Sequence, residues 1–256
     1  MSQPTIAEIY SYPVKGLTGA KHSQIALTAA DCLPFDRAWA IEAGSRKFDP
    51  AAPSYFPKAN FLMLMRDEKL AALDTSFDEE SKVLTVFRGG KQVARGCLED
   101  KLGCQLLEQF FAAYAKESLR GGAPKIVSAE NHSFSDIPNK WVSIINLASV
   151  KDLERVARKP VHPLRFRGNI YVEGLEPWEE FNWLDRTLTI GGAPVLEVTE
   201  RIKRCAAINV DPETGARDMS LPRTLDIGFG HQDCGIYARV AADGQIAVGD
   251  EVVVTD

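Results

Sequence analysis

The spacing of the apolar residues constrains this chain more than any other feature. Up to Ala94 they come in short alternating runs: Ile6 to Tyr12, His22 to Leu27, Ala38 to Glu42, Leu62 to Met65, Val83 to Phe87 and Gln92 to Ala94. Clusters of Pro, Gly and Asp separate the runs. A period of two suits strands with one buried face and does not suit a helix. Gly89-Gly90, after Val83 to Phe87, supplies the positive φ that a tight hairpin needs. From Leu98 to Lys116 the period changes. Leu102, Leu106, Leu107, Phe110, Phe111 and Tyr114 recur at helical spacing, which predicts an amphipathic helix. Gly121-Gly122-Ala123-Pro124 ends it and places a domain boundary near residue 120.

Strands return beyond that break. Val142 to Asn146 reads as a strand, and Ser149 with Asp152 reads as an acidic capping box for a helix running to about Arg158, stopped by Pro160 and Pro163. Further strands are expected at Phe166 to Val172, Thr187 to Ile190, Val195 to Thr199, Ile236 to Val240 and Glu251 to Val254, with Asp243-Gly244 as a hairpin turn. The expected fold class is mainly β with some α (α+β). A β-barrel-like domain would occupy residues 1–120, and a closed β-barrel with a few helices residues 121–256. At ~150 residues per domain, 256 residues leave room for both.

Composition removes several function classes. With 45% apolar and 25% charged residues, the chain is not a disordered one. Thirty Lys and Arg against 35 Asp and Glu give a net charge of −5, which argues against broad binding to nucleic acid or anionic membranes. The start lacks a signal peptide's basic flank and apolar core, and runs such as Phe61 to Met65 are too short to span a bilayer. A cytoplasmic protein is expected, with neither nucleic acid nor membrane as partner. The cysteines Cys32, Cys97, Cys104, Cys205 and Cys234 are odd in number and widely spaced, so free thiols are expected, with Cys97 and Cys104 sharing the helix's buried face. His22, His132, His162 and His231 lack zinc-ligand spacing.

Three stretches could carry chemistry. In Arg201-Ile202-Lys203-Arg204-Cys205, cations precede a thiol, and nearby positive charge stabilises the thiolate that attacks electrophiles and binds metals. If the strand reaches Cys205, alternation puts Arg201, Lys203 and Cys205 on one face. A small buried cysteine beside solvated cations is the other open reading. In Arg165-Phe166-Arg167-Gly168-Asn169, strand alternation would align Arg165, Arg167 and Asn169, forming an anion pocket or an exposed edge. Tyr12-Pro13-Val14-Lys15-Gly16 projects a lysine from a strand end, and Asp36-Arg37 adds a second cation.

These stretches, with Val210-Asp211-Pro212-Glu213-Thr214-Gly215 after Cys205 and Gly235 to Val240 leading to Val248 to Val252, resemble the MOSC proteins that carry an N-terminal β-barrel domain, the family of the amidoxime-reducing components. The resemblance implies a molybdenum cofactor, with Cys205 as thiolate ligand of the metal and as catalytic residue. It implies pterin and phosphate contacts from Lys15, Arg37, Arg167, Asn169 and Arg204, with Lys203 where relatives often have Ser. It implies a reductase of N-hydroxylated compounds. Relatives ending in an iron–sulfur domain have clustered cysteines that this sequence lacks, so a separate electron-donor protein is expected. The alternative is a carrier of cofactor or sulfur without turnover, its Cys205 holding a persulfide. Gly16 and Gly168 replace a common Ser and a common Pro, and Asp136 to Trp141 stands, displaced in register, for the family's metal-side segment.

Overall fold

The computed structural model describes residues 3–44 and 47–255. Its largest layer is an eight-stranded sheet in the order β15 (Val252–Thr255), β11 (Thr187–Ile190), β12 (Val195–Lys203), β13 (Asp233–Ala242), β9 (Val142–Asn146), β10 (Ile170–Glu173), β1 (Thr5–Ser11), β2 (Ala20–His22). The pair β9–β10 is parallel. Parallel neighbours need a long crossover, here containing the helix α2 (Leu147–Ala157). The sheet curls into a half-barrel whose ends are tied, since Thr5 bridges Glu251 and Ile6 N donates to Asp250 O at 2.9 Å. Ile6, Ile9, Ile144, Val198 and Ile236 fill the inside. Tyr10, Tyr12, Ile145 and Tyr171 pack on the other side in a core shared with α2 and α3 (Leu221–Phe229). β9 is buried along its whole length because it serves both cores. The observed fold is α+β and mostly sheet, as expected.

Pairing crosses residue 120. β1 and β2 join the large sheet, and β3 (Gln24–Leu27) pairs with β14 (Gly244–Ala247). The run His22 to Leu27 is therefore two strands in different sheets. Asp243-Gly244 closes no hairpin either: β14 turns to β3, and the Asp243 carboxylate accepts from Ala29 N at 2.6 Å.

A smaller layer holds β5 (Asp74–Asp78), β6 (Val83–Arg88) and β7 (Lys91–Cys97), covered by α1 (Lys101–Tyr114), with β4 (Ala40–Glu42) paired to β8 (Lys125–Val127). Gly89 and Gly90 turn β6 into β7 with φ of 56° and 74°. Asp100 caps α1 by accepting from Gly103 N at 2.8 Å. The helix buries Leu107 and Phe111 but leaves Leu102 63% and Leu106 48% exposed, so its apolar stripe is narrower than the sequence suggests. Cys97 ends β7, just before the helix.

Two local readings change. The N-cap of α2 is Asn146, which accepts from Ala148 N at 2.9 Å; Ser149 is buried and donates to Glu180 at 2.8 Å. The stretch from Phe166 is not strand from its start, because Pro163–Phe166 forms a 3₁₀ turn, Arg167 follows in the left-handed region and β10 begins at Ile170. Leu62 to Met65 forms no strand, while β5 and α3 had no sequence expectation.

Candidate functional site

Every residue selected from the sequence as a site residue lines one cavity of about 380 Å³: Cys205, Lys15, Arg37, Arg167, Asn169, Lys203 and Arg204. The cavity draws on both sides of residue 120. After β1 the chain runs beside Trp39, with Lys15 N donating to Trp39 O at 2.8 Å, and the Lys15 side chain turns inward until only 6% of the residue is exposed. Its ammonium donates to Phe134 O at 2.7 Å and to Asp136 Oδ1 at 2.6 Å. Burial pulls the pKa of this ammonium down, against the pull of Asp136. Gly16 makes the turn with φ of 85°, where a Cβ would lie 3.0 Å from Leu62 O.

Arg37 and Arg167 both adopt left-handed backbone, at φ of 55° and 50°. This costs about 1 kcal/mol apiece for a residue with a Cβ. The strain brings two guanidiniums over the ring of Tyr12, at 4.7 and 4.2 Å from its centroid. Arg37 pairs with Asp36 and donates to Arg167 O at 3.1 Å. Arg167 has no acceptor for its guanidinium among the described residues, and burial lowers its pKa. A strand-like row of Arg165, Arg167 and Asn169 does not form, because their backbone is a turn. Arg165 is buried and ion-paired to Asp211 and Asp218, both at 2.9 Å. Asn169 lines the wall with its amide already committed: Oδ1 accepts from Ser143 Oγ at 2.7 Å, and Nδ2 donates to Tyr10 O at 3.2 Å.

The stretch around the cysteine also departs from simple alternation. β12 ends at Lys203 after a register shift, and half-buried Cys205 heads the 3₁₀ turn Ala206–Asn209. Arg204 turns away from the sulfur, donating to Cys234 O at 2.7 Å and Phe166 O at 2.9 Å. The cation beside Cys205 is instead Lys58, from the 3₁₀ turn Lys58–Asn60: its Nζ lies 3.6 Å from Sγ and 2.7 Å from Asp136 Oδ2. Burial opposes the charge on Lys58, but Asp136 and Cys205 outweigh it and hold the ammonium above its ordinary range. Burial likewise opposes the charge on Asp136, yet Lys15 and Lys58 hold its carboxyl well below the usual carboxylate range. Sequence reading missed Lys58 because the residue belongs to no periodic element and is far from Cys205 in the chain.

Arg217 joins the two walls. One guanidinium nitrogen donates to Ala206 O at 3.0 Å, next to Cys205, and the other to Met65 O at 3.0 Å and to Glu68 at 3.1 Å. The Asp211 to Gly215 loop is seated on the 3₁₀ turn Glu68–Ala72, with Gly215 at φ of 70° where a Cβ would meet Glu68 O at 3.0 Å.

Fold and cavity together define a β-rich protein in which a half-buried cysteine faces a cationic cavity built from both halves of the chain. The chain belongs to the MOSC-domain proteins with an N-terminal MOSC barrel: residues 3–118 match the MOSC N-terminal beta barrel domain and residues 129–253 the MOSC domain. It is 33% identical over 123 residues to mitochondrial amidoxime reducing component 2 of Homo sapiens, a match covering 43% of this chain and 35% of that protein's length. Mitochondrial amidoxime-reducing component 1 of Homo sapiens is 23% identical over 97% of this chain and 82% of its own length. Molybdenum cofactor sulfurase of Anopheles gambiae is 38% identical over 80 residues, 31% of this chain and 10% of that protein. Among the described residues no helix is long and apolar enough to cross a membrane.

Proposed function

We propose that this chain binds a molybdenum cofactor in the cavity and reduces N-hydroxylated compounds with electrons from a separate donor protein. The observation that carries the reading is the pairing of Cys205, with Lys58 beside its sulfur, and an acceptor-free guanidinium at Arg167 in one cavity. A soft sulfur ligand suits a high-valent metal, and forked guanidiniums suit phosphate. The donor set fits such a group. Among the described residues no cluster of three or more His, Cys, Asp or Glu could hold a metal ion, so one resting on Cys205 would take its other ligands from an organic partner. Named relatives, an amidoxime reducing component and a molybdenum cofactor sulfurase, point the same way.

Cys205 would hold the metal, Arg167, Arg37, Lys15 and Arg204 would face the pterin and its phosphate, and Asn169 and Lys203 would form the adjoining wall. When bound, the cofactor supplies a metal that passes two electrons into the N–O bond. That bond breaks, the nitrogen takes up one proton to give the N–H product, and the oxygen, which already carries one hydrogen, takes up a second proton and leaves as water. The chain's own residues provide position and charge. Lys58 holds a proton at Nζ between the Cys205 sulfur and Asp136, and Lys15 fixes Asp136 from its other oxygen. The division near residue 120 is then one across which the cavity is assembled, Lys15, Arg37 and Lys58 from residues 1–120 and Asp136, Arg167 and Cys205 from 121–256.

The test is the molybdenum content, by elemental mass spectrometry, of wild type and Cys205→Ala from a host that makes the cofactor. Near-stoichiometric metal in wild type and its loss in the variant are expected, followed by reduction of benzamidoxime with reduced viologen. Metal without turnover, together with transfer of cofactor to an acceptor apoprotein, would replace the reductase by a carrier. Absence of metal from wild type sinks the reductase and leaves the sulfur carrier, with a persulfide on Cys205, as the reading to test.

A further inference from the structure

We propose that the outer wall of the cavity selects substrates by charge, taking N-hydroxylated compounds that carry a carboxylate or a phosphate ester away from the N–O group. The proposal rests on the reductase reading and adds the substrate class. Its basis is the balance of charge among side chains lining the cavity. Lys15 and Lys58 share Asp136, Arg37 is held by Asp36, Arg165 by Asp211 and Asp218, and Arg204 by carbonyl oxygens. Among the described residues three of these cations are engaged by neither an anionic side chain nor a carbonyl oxygen: Arg167, Arg201 and Lys203.

These three differ in setting. Arg167 is half-buried over Tyr12 and meets the phosphate in the reading above. Arg201 and Lys203 are exposed on β12, flank the buried Ile202 and lead directly to Cys205. The Arg201 guanidinium rests 4.2 Å from the Phe181 ring centroid, so it is held in place without being neutralised. Glu200 also lines the cavity and Asp233 stands opposite Lys203 in register, yet among the described residues neither carboxylate forms an ion pair with Arg201 or Lys203. Trp141 and Tyr237 also line the cavity, their rings 6.1 Å apart, and offer apolar faces to a flat ligand body. In a chain of net charge −5, the cavity lining holds more cations than carboxylates even with Glu200 counted, and this local excess recognises an anion.

The experiment is a ligand-observed NMR titration of metal-loaded protein with unreactive carboxamides: benzamide, 4-carbamoylbenzoate, 4-carbamoylphenyl phosphate and the cationic 4-(aminomethyl)benzamide. At low ionic strength an anionic analogue is expected to bind roughly two- to fivefold more tightly than benzamide, and the advantage shrinks as salt is added. The tighter of the two anions identifies carboxylate or phosphate as the recognised group. The double variant Arg201→Gln/Lys203→Gln loses the preference, and Lys203→Glu shifts it toward the cation. Equal binding of all four, or a preference that survives the double substitution, overturns the proposal. Metal content is measured on the same samples, so a protein that binds anions but no molybdenum overturns the reductase reading instead.

Discussion

Lys58 and Asp136 show how single side chains set the chemistry of this cavity. Asp136 is held by two ammonium groups, and replacing it by Asn would leave Lys15 buried without its anionic partner. Asp136→Asn should destabilise the protein by about 2 kcal/mol at pH 7, between the values for exposed and buried pairs because the carboxylate is partly exposed. The sign follows from the depressed carboxyl. Its contribution is complete above the ordinary carboxylate range and is lost as pH falls toward the folded-state value, so in urea unfolding the difference between wild type and variant holds from pH 7 to about pH 5 and narrows only below about pH 4. The thiols give a second residue-scale outcome. Burial pushes Cys32 and Cys234 up to about 12 and Cys104 up to about 11, leaving less than about one thousandth of each as thiolate at pH 8. Brief iodoacetamide labelling should therefore spare these three, which react only as pH rises, as read by peptide mass spectrometry. The left-handed backbone of Arg37 and Arg167 and the position of Lys58 left no trace in the sequence, since each depends on neighbours supplied by remote segments.

At the scale of elements, periodicity is reliable where one element meets one core. β9, β11 and the β6–β7 hairpin lie where alternation and Gly89-Gly90 put them, and α1 follows its helical spacing. Alternation failed at Phe166 and at Cys205, where turns place the side chains and nothing in the apolar pattern marks a turn built from Pro163 or a register shift in β12. Helix propensity gives an equally local and misleading answer at Gly103. Ala is favoured over Gly by about 1 kcal/mol inside a helix, but a Cβ here would lie 2.4 Å from the backbone of Cys97. Gly103→Ala should lower stability by about 2 kcal/mol through overpacking, seen as a lower denaturation midpoint. At the start of α2, Asn146→Ala removes the N-cap and a donor to buried Glu180. A loss of about 2 kcal/mol is expected in the same assay.

Over the whole molecule, strand pairing crosses the division near residue 120: β1 and β2 complete a sheet otherwise made after it and β3 pairs with β14, so neither half is expected to fold alone. Expressed separately, 1–120 and 121–256 should each fail to give a dispersed NMR spectrum. The full chain should melt in one calorimetric transition; two resolved transitions would contradict this shared sheet. Arg217, bonded to Ala206, Met65 and Glu68, spans the same divide. By itself the sequence determined the balance of strand and helix, the hairpin and the helix α1, because these rest on local periodicity and turn chemistry. It also marked Cys205 and most of the cations, whose residue types carry their chemistry wherever they lie. Only the tertiary structure decided which cations stay paired, that Lys58 rather than Arg204 stands beside the sulfur, and that strands from both ends of the chain share one sheet. Those outcomes depend on burial and on contacts between residues remote in sequence, and neither has a period that the chain can display.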